Sequence, residues 1–245
     1  MTVSSKQEAY FEKKAKQLLE YLKSNLRYDR EVIPRPFFIE ITGSPSAGKT
    51  TTITELDKFF RRMGFRVWKP QEGAEVIRHI TRDTPIYNVR TGLYALSLLL
   101  DLSRGHQYDL VIFDRAIFDA YVWMMYWEEK GKLSKEEREL MQLFFLNRLW
   151  IDEIDAAYFM ICDPEEAMRR ELRIALSKKT GETSNPKTIT TLVERYKTAY
   201  TTLSPTHENL YLFNTTKLGE QEMVSAIAEQ ILETLEKKNL QNNSL

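Results

Sequence analysis

Gly43-Ser44-Pro45-Ser46-Ala47-Gly48-Lys49-Thr50 is the stretch on which the fold turns. It satisfies G-x-x-x-x-G-K-[ST], the pattern of a loop that cradles phosphates. Gly43 and Gly48 let the backbone turn tightly and approach phosphate oxygens. The N–H groups between them then form an anion nest, with the positive end of a following helix aimed at the same point. Lys49 brings a point charge for the β- and γ-phosphates, and the Thr50 hydroxyl is a Mg²⁺ ligand. Ser44, Pro45, Ser46, Ala47 and Thr51 complete the nucleotide-binding set.

The flanks supply the required context. Phe37-Phe38-Ile39-Glu40-Ile41 reads as a buried strand. Ile53, Leu56, Phe60 and Met63 recur at helical spacing, and Gly64 stands where a helix C-cap belongs. Strand, loop and helix follow in the order the motif demands.

Further along, the chain alternates strands and helices. Residues 65–68, 109–114, 157–162 and 210–214 read as four more strands. Helices are expected over residues 74–81, 91–102, 116–127, 134–150, 164–176 and 188–203, with an amphipathic one marked by Met223, Ile227, Ile231 and Leu235. Ser134-x-x-Glu137 is a capping box. Asp163-Pro164-Glu165-Glu166 opens a helix with Asp at the cap and Pro at the first position. Met168, Leu172, Ala175 and Leu176 are expected on its buried side, Arg169 and Arg173 on a shared flank, and Arg170 further out. Five strands alternating with helices define an α/β protein with a parallel sheet and right-handed crossovers.

Before the first strand, Phe11, Ala15, Leu18, Leu19, Leu22 and Leu26 mark one face of an added helix. Packing on the domain is the plain reading, and a partner or subunit surface, including a homodimer contact, is the sharper one. Domains are expected at 1–35, the helical extension, and 36–238. Residues 178–186 are the most loop-like in the chain, and a lid is expected over about 164–187, mobile until substrates bind.

Candidate site residues follow from the sheet. Ligands of open α/β sheets bind beyond the carboxyl ends of the strands. Asp114 ends the third strand in the hhhhD pattern that puts an acid beside Mg²⁺. Arg115 follows, where motors and transporters place a catalytic Glu. No Asn-Lys-x-Asp guanine motif is present. Glu72 and Glu75 lie in the loop after the second strand. Phe118, Tyr121, Trp123, Tyr126 and Trp127 are core aromatics or a stacking surface for a base.

Composition narrows the classes. Lys+Arg and Asp+Glu balance at 35 each, so the footprint of a polynucleotide binder is missing. The single cysteine, Cys162, forms no internal disulfide framework and suits a reducing cytoplasm. No apolar run is long enough to span a bilayer.

With the phosphate loop, Asp114-Arg115-Ala116, and Asp163-Pro164-Glu165-Glu166-Ala167 backed by Arg169 and Arg173, residues 36–237 resemble the phosphate-loop kinases of nucleosides and nucleotides. Deoxynucleoside and thymidylate kinases look most similar. The resemblance implies a three-layer P-loop NTPase fold with sheet order 2-3-1-4-5, ATP and Mg²⁺ as cofactors, and a small nucleoside or nucleotide acceptor. By motif it makes Lys49, Arg115, Arg169 and Arg173 the charge-neutralising residues and Thr50 and Asp114 the metal ligands. Asn214, Thr215 and Thr216 would lie where adenine is held. The chain departs from the pattern after the second strand: Lys69 precedes Pro70, and Glu72 comes two residues later as the candidate base. Glu72-Gly73-Ala74-Glu75 also resembles, more faintly, a segment of nicotinamide-nucleotide ATPase domains. The expected activity is ATP-dependent phosphorylation of a nucleoside or its monophosphate. A nucleotide-driven regulatory or defence ATPase acting on a protein partner is the alternative from another class. A kinase of polynucleotide ends is a third, disfavoured by the charge balance.

Overall fold

The computed structural model describes residues 5–25, 35–105, 107–174 and 185–242. Its sheet has five parallel strands: β1 (Phe37–Gly43), β2 (Val67–Trp68), β3 (Leu110–Asp114), β4 (Ala156–Ile161) and β5 (Leu210–Asn214), in the order β2-β3-β1-β4-β5. This is the three-layer arrangement expected of the phosphate-loop kinase fold. β1, at the centre, is buried along nearly its whole length, as a strand covered on both faces must be. Its side chains alternate: Phe38, Glu40 and Thr42 take one face, Ile39 and Ile41 the other.

On one side of the sheet lie α1 (Ser5–Asn25), α2 (Lys49–Arg62) and α10 (Glu220–Asn242). On the other lie α4 (Pro85–Leu102), α5 (Ile117–Glu129), α6 (Lys135–Phe145) and α9 (Pro186–Leu203). The short α3 (Gly73–Val76) and α7 (Arg148–Ile151) and the site-bordering α8 (Pro164–Ile174) complete the set. Phe11, Ala15, Leu18 and Leu19 of α1 join the same core as the sheet, so the plain reading of the added helix describes its packing. The side chain of Leu22, and Leu26 altogether, fall outside the described residues.

Helix ends follow local chemistry. α2 closes in a Schellman arrangement: Phe65 N donates to Phe60 O and Gly64 N to Arg61 O, both at 3.0 Å, with Gly64 at φ 95°. Ser134 and Glu137 form the expected reciprocal cap of α6.

Several expectations are corrected. The helix over 134–150 is two helices, because Asn147 caps α7 by accepting from Leu149 N at 3.0 Å. The helix over 74–81 is only the single turn of α3. α4 starts at Pro85, with Thr84 as N-cap, six residues before the apolar run suggested. On α8, Ala167 is buried while Leu172 is exposed. The helix meets the core at Ala167 and Met168, but past them it borders the phosphate loop, where Arg170 faces inward. Ala175, Leu176 and the middle of the expected lid, residues 175–184, lie outside the described residues.

Candidate active site

The loop of residues 43–48 runs from the end of β1 into α2, and glycine is required at Gly43 by close backbone approach and positive φ and at Gly48 by positive φ. A Cβ on Gly43 (φ 139°) would stand 1.8 Å from Met160 O of β4, and one on Gly48 (φ 92°) 2.5 Å from Met223 Cε of α10. Ser44 N donates to Met160 O at 2.9 Å, and Ser44 Oγ accepts from Cys162 N at 3.2 Å. Inside the loop, Lys49 Nζ donates to Ser44 O at 2.7 Å. Burial, then the nearby Arg115, pushes the Lys49 ammonium down to about 7. An anion in the cradle would reverse that shift by favouring the charged form.

The outer side of the loop is held by Thr215, expected where adenine is held, and by Arg170, expected further out. Thr215, fully buried, donates from Oγ1 to Ala47 O at 3.0 Å. Arg170 donates to Thr215 O at 2.7 Å and Ser46 O at 3.3 Å, and pairs with Glu166 at 2.8 Å. Ser46 Oγ donates to Glu171 at 2.9 Å. Arg170 thus points inward, contrary to expectation. Thr215 turns inward as well, so its hydroxyl supports the loop from behind. Asn214 is exposed, and its Oδ1 accepts from Thr216 N at 3.0 Å. Arg169 and Arg173 do share the outer flank of α8; Arg169 pairs with Glu166 at 2.5 Å and Arg173 with Glu220 at 3.5 Å. The structure does not bring these two to the loop.

Asp114 stands opposite Ile41 in the β1–β3 register, two residues short of Gly43. Its carboxylate makes no hydrogen bond among the described residues, and burial raises its pKa despite the charge of Arg115. Thr50 is exposed at the first turn of α2, and Thr51 is half-buried beside it. A hydroxyl and an uncommitted carboxylate are hard oxygen donors. They fit Mg²⁺, which keeps waters and takes few protein ligands. No group of three or more His, Cys, Asp or Glu side chains able to hold a metal occurs among the described residues.

Arg115 has φ 66°, a left-handed conformation uncommon for a residue with a side chain. The bend carries the chain from β3 into α5. Arg115 Nε lies 3.0 Å from Glu72 Oε1, and an Nη lies 3.4 Å from Asp119 Oδ1. Burial works against its charge, but Asp119, Tyr196, Glu72 and Asp114 together raise its pKa. Burial also raises that of Glu72, with Arg115 opposing. Behind this pair sits Glu40, fully buried. Its carboxylate accepts from Ala116 N, Phe118 N and Asp119 N at 2.8–3.0 Å. It thereby satisfies the first N–H groups of α5. Asp119 Oδ1 in turn accepts from the hydroxyls of Thr42 and Tyr196. A charged residue amid an apolar strand was the available signal for Glu40. Nothing in the spacing pointed to Tyr196.

Next to the loop lies a cavity of about 160 Å³ lined by Pro45, Glu72, Tyr87, Asn88, Arg115, Asp119 and Trp123, among others. Trp123 is thus the aromatic of α5 that reaches the cavity, while Phe118, Tyr121, Tyr126 and Trp127 are core. Glu75 is not among the lining residues and is exposed.

A glycine-pinned phosphate loop, a strand-end acid and a sheet in this order define a phosphate-loop nucleotide-binding protein of kinase-like fold. Residues 38–185 match the family model described as an AAA domain (AAA_28), more than half of the chain, and the chain belongs to that family. Among solved structures it is similar to deoxyadenosine kinase from M. mycoides with bound dCTP. The TM-score is 0.56 at 14% identity, over 80% of this chain and 100% of that one. At that identity the likeness establishes the fold. No curated protein matches the chain in sequence. No helix among the described residues is long and apolar enough to cross a membrane.

Proposed function

We propose that this protein is a cytoplasmic ATP-dependent phosphotransferase acting on a nucleoside or nucleoside monophosphate. The observation that carries the reading is the juxtaposition of the phosphate loop with the cavity floored by Glu72 and Arg115. Residues 43–51 hold the polyphosphate, with Asn214 at the base end and Thr215 backing the loop. Thr50 and Asp114 would hold Mg²⁺, which supplies charge neutralisation between the β- and γ-phosphates. Glu72 takes the proton of an acceptor hydroxyl or aims its oxygen. Lys49 and Arg115 neutralise charge on the transferring group. Arg169 and Arg173 would join them only if α8 moves, since both are now engaged with carboxylates on its outer side. In this scheme residues 1–35 are an added helical element on a kinase domain of residues 36–238.

A screen of nucleosides and their monophosphates with MgATP, reading ADP formed and phosphorylated product, tests the proposal. Product that depends on acceptor is expected. ATP hydrolysis indifferent to every acceptor would overturn it in favour of a nucleotide-driven regulatory protein.

A further inference from the structure

Three residues of the phosphate loop have positive φ: Gly43 at 139°, Ser46 at 55° and Gly48 at 92°. Gly43 and Gly48 take that conformation freely because they carry no Cβ. Ser46 does not. Its φ lies in the left-handed region, where Cβ crowds the carbonyl oxygen that follows. Among the described residues, Arg115 is the other non-glycine residue of positive φ. A residue held in this way persists when its surroundings over-determine it, and such residues gather at binding sites.

The surroundings of Ser46 are two side chains of α8. Its Oγ donates to Glu171 Oε2 at 2.9 Å, and its backbone O accepts from Arg170 Nη1 at 3.3 Å. The second bond is long, and Arg170 has nearer partners in Thr215 O at 2.7 Å and Glu166 at 2.8 Å. Glu171 makes no other hydrogen bond or ion pair among the described residues. Its carboxylate is spent on Ser46 alone.

Position gives the strain a use. Pro45 has no N–H, and its ring fixes φ. Ser46 follows it, and a residue in the left-handed conformation is what turns successive N–H groups toward a common side. The N–H groups of Ser46, Ala47 and Gly48 have no backbone acceptor among the described residues. They are the donors that an anion in the loop would use. Were Ser46 to relax, its peptide would rotate and the concavity would open.

We propose that Glu171 is a positioning residue of the phosphate loop: by accepting from the Ser46 hydroxyl, it holds a non-glycine residue in the left-handed conformation that aims the loop's N–H groups at a polyphosphate. The inward face of α8 is thereby part of nucleotide binding, independently of the arginines on its outer flank. This rests on the reading of residues 43–51 as the nucleotide-binding loop, and not on the identity of the acceptor.

The test is calorimetric binding of a non-hydrolysable ATP analogue with Mg²⁺ to the full chain, with melting temperatures measured in parallel. Glu171→Ala should bind about tenfold more weakly, because a loop that is competent about a tenth of the time loses that factor in apparent affinity. Glu171→Gln keeps an oxygen that accepts from the Ser46 hydroxyl, and should stay within about threefold of the wild type. Ser46→Ala removes the same bond from its other end. It should match Glu171→Ala, and the two losses should not add. The deciding variant is Ser46→Gly. Glycine adopts the left-handed conformation unaided, so adding Ser46→Gly to Glu171→Ala should bring affinity back to within about threefold of the wild type. A carboxylate that merely packs α8 onto the domain gives no such rescue. The proposal is overturned if Glu171→Ala binds as well as or better than the wild type, or if Ser46→Gly fails to restore what Glu171→Ala loses. Should Glu171→Ala not fold, Ser46→Ala against Ser46→Gly decides: weak binding in the first and wild-type binding in the second is expected, and equal affinities overturn the proposal. A wild type that binds no ATP analogue would remove the loop reading and this proposal with it. Loss and rescue in a protein that phosphorylates no nucleoside or monophosphate would remove the kinase reading and leave this one standing. Transfer to an acceptor with unaffected variants would do the reverse.

Discussion

The guanidinium of Arg170 donates to the backbone carbonyl of Thr215 at 2.7 Å, and through its other nitrogens reaches Ser46 O and Glu166. One side chain of α8 therefore ties the outer wall of the phosphate loop to the turn after β5. A planar fork with several donors can do this, and a lysine ammonium cannot. Arg170→Ala is expected to raise the KM for ATP about tenfold, on the order of 1.4 kcal/mol, with Arg170→Lys rescuing little. Arg169→Ala, which removes only an exposed pair with Glu166, should leave KM nearly unchanged. Steady-state kinetics on the three variants decide the matter, and equal KM values throughout would reduce Arg170 to a surface stitch.

Lys49→Ala should abolish transfer in a folded protein. Lys49 sits inside the loop, hydrogen-bonded through its ammonium to Ser44 O alone among the described residues, and is not part of the apolar core. Asp114→Asn should retain most ATP binding while Mg²⁺-dependent turnover collapses, because its carboxylate has no hydrogen bond within the described chain to lose. Circular dichroism and turnover measured together check both. Wild-type rates in either variant would contradict the assigned roles.

Glu72→Gln separates two kinds of acceptor. A hydroxyl must lose its proton, so with a nucleoside kcat should fall by about 10²–10⁴. A phosphate acceptor is already ionised, and the loss should then be small. Because Glu72 pairs with Arg115 at 3.0 Å, the substitution also frees that guanidinium. A fall in stability with unchanged kcat would place Glu72 outside the chemistry.

Glu40 carries a pH prediction. Burial pushes its carboxyl up to about 7, outweighing the three N–H donors that favour the charged form. In the unfolded chain the group titrates at the ordinary value of 4.5. Between these values the folded state holds more protons than the unfolded one. The stabilisation is therefore complete below about pH 4.5 and is lost as pH rises through about 7, at up to roughly 1.4 kcal/mol per pH unit. Denaturant titrations at several pH values should show this slope, and Glu40→Gln should flatten it. An unchanged slope in the variant would assign it to other groups.

Most of the architecture was legible in the sequence because the signals that set it are local. The phosphate loop, the capping box at Ser134 and Glu137, and the glycine that ends α2 are each written within a few residues. The strands read as apolar runs because they are covered on both faces. What escaped was non-local. Arg170 faces inward since α8 abuts a loop more than a hundred residues earlier, and no period along the helix reveals that. Thr42, Asp119 and Tyr196 meet at one carboxylate oxygen although they belong to β1, α5 and α9. Leu172 was misassigned to a buried face for the converse reason: an apolar stripe marks the core only where there is core to meet.

Met223, pressed against Gly48, sets a timetable for the nascent protein. Residues 43–51 leave the ribosome early, yet their backing comes from Met160, Cys162, Thr215 and finally Met223. During synthesis the loop is a motif without walls until α10 has emerged. Nucleotide capture would then wait for α10, and ATP would act on the folded domain rather than as a template for the growing one.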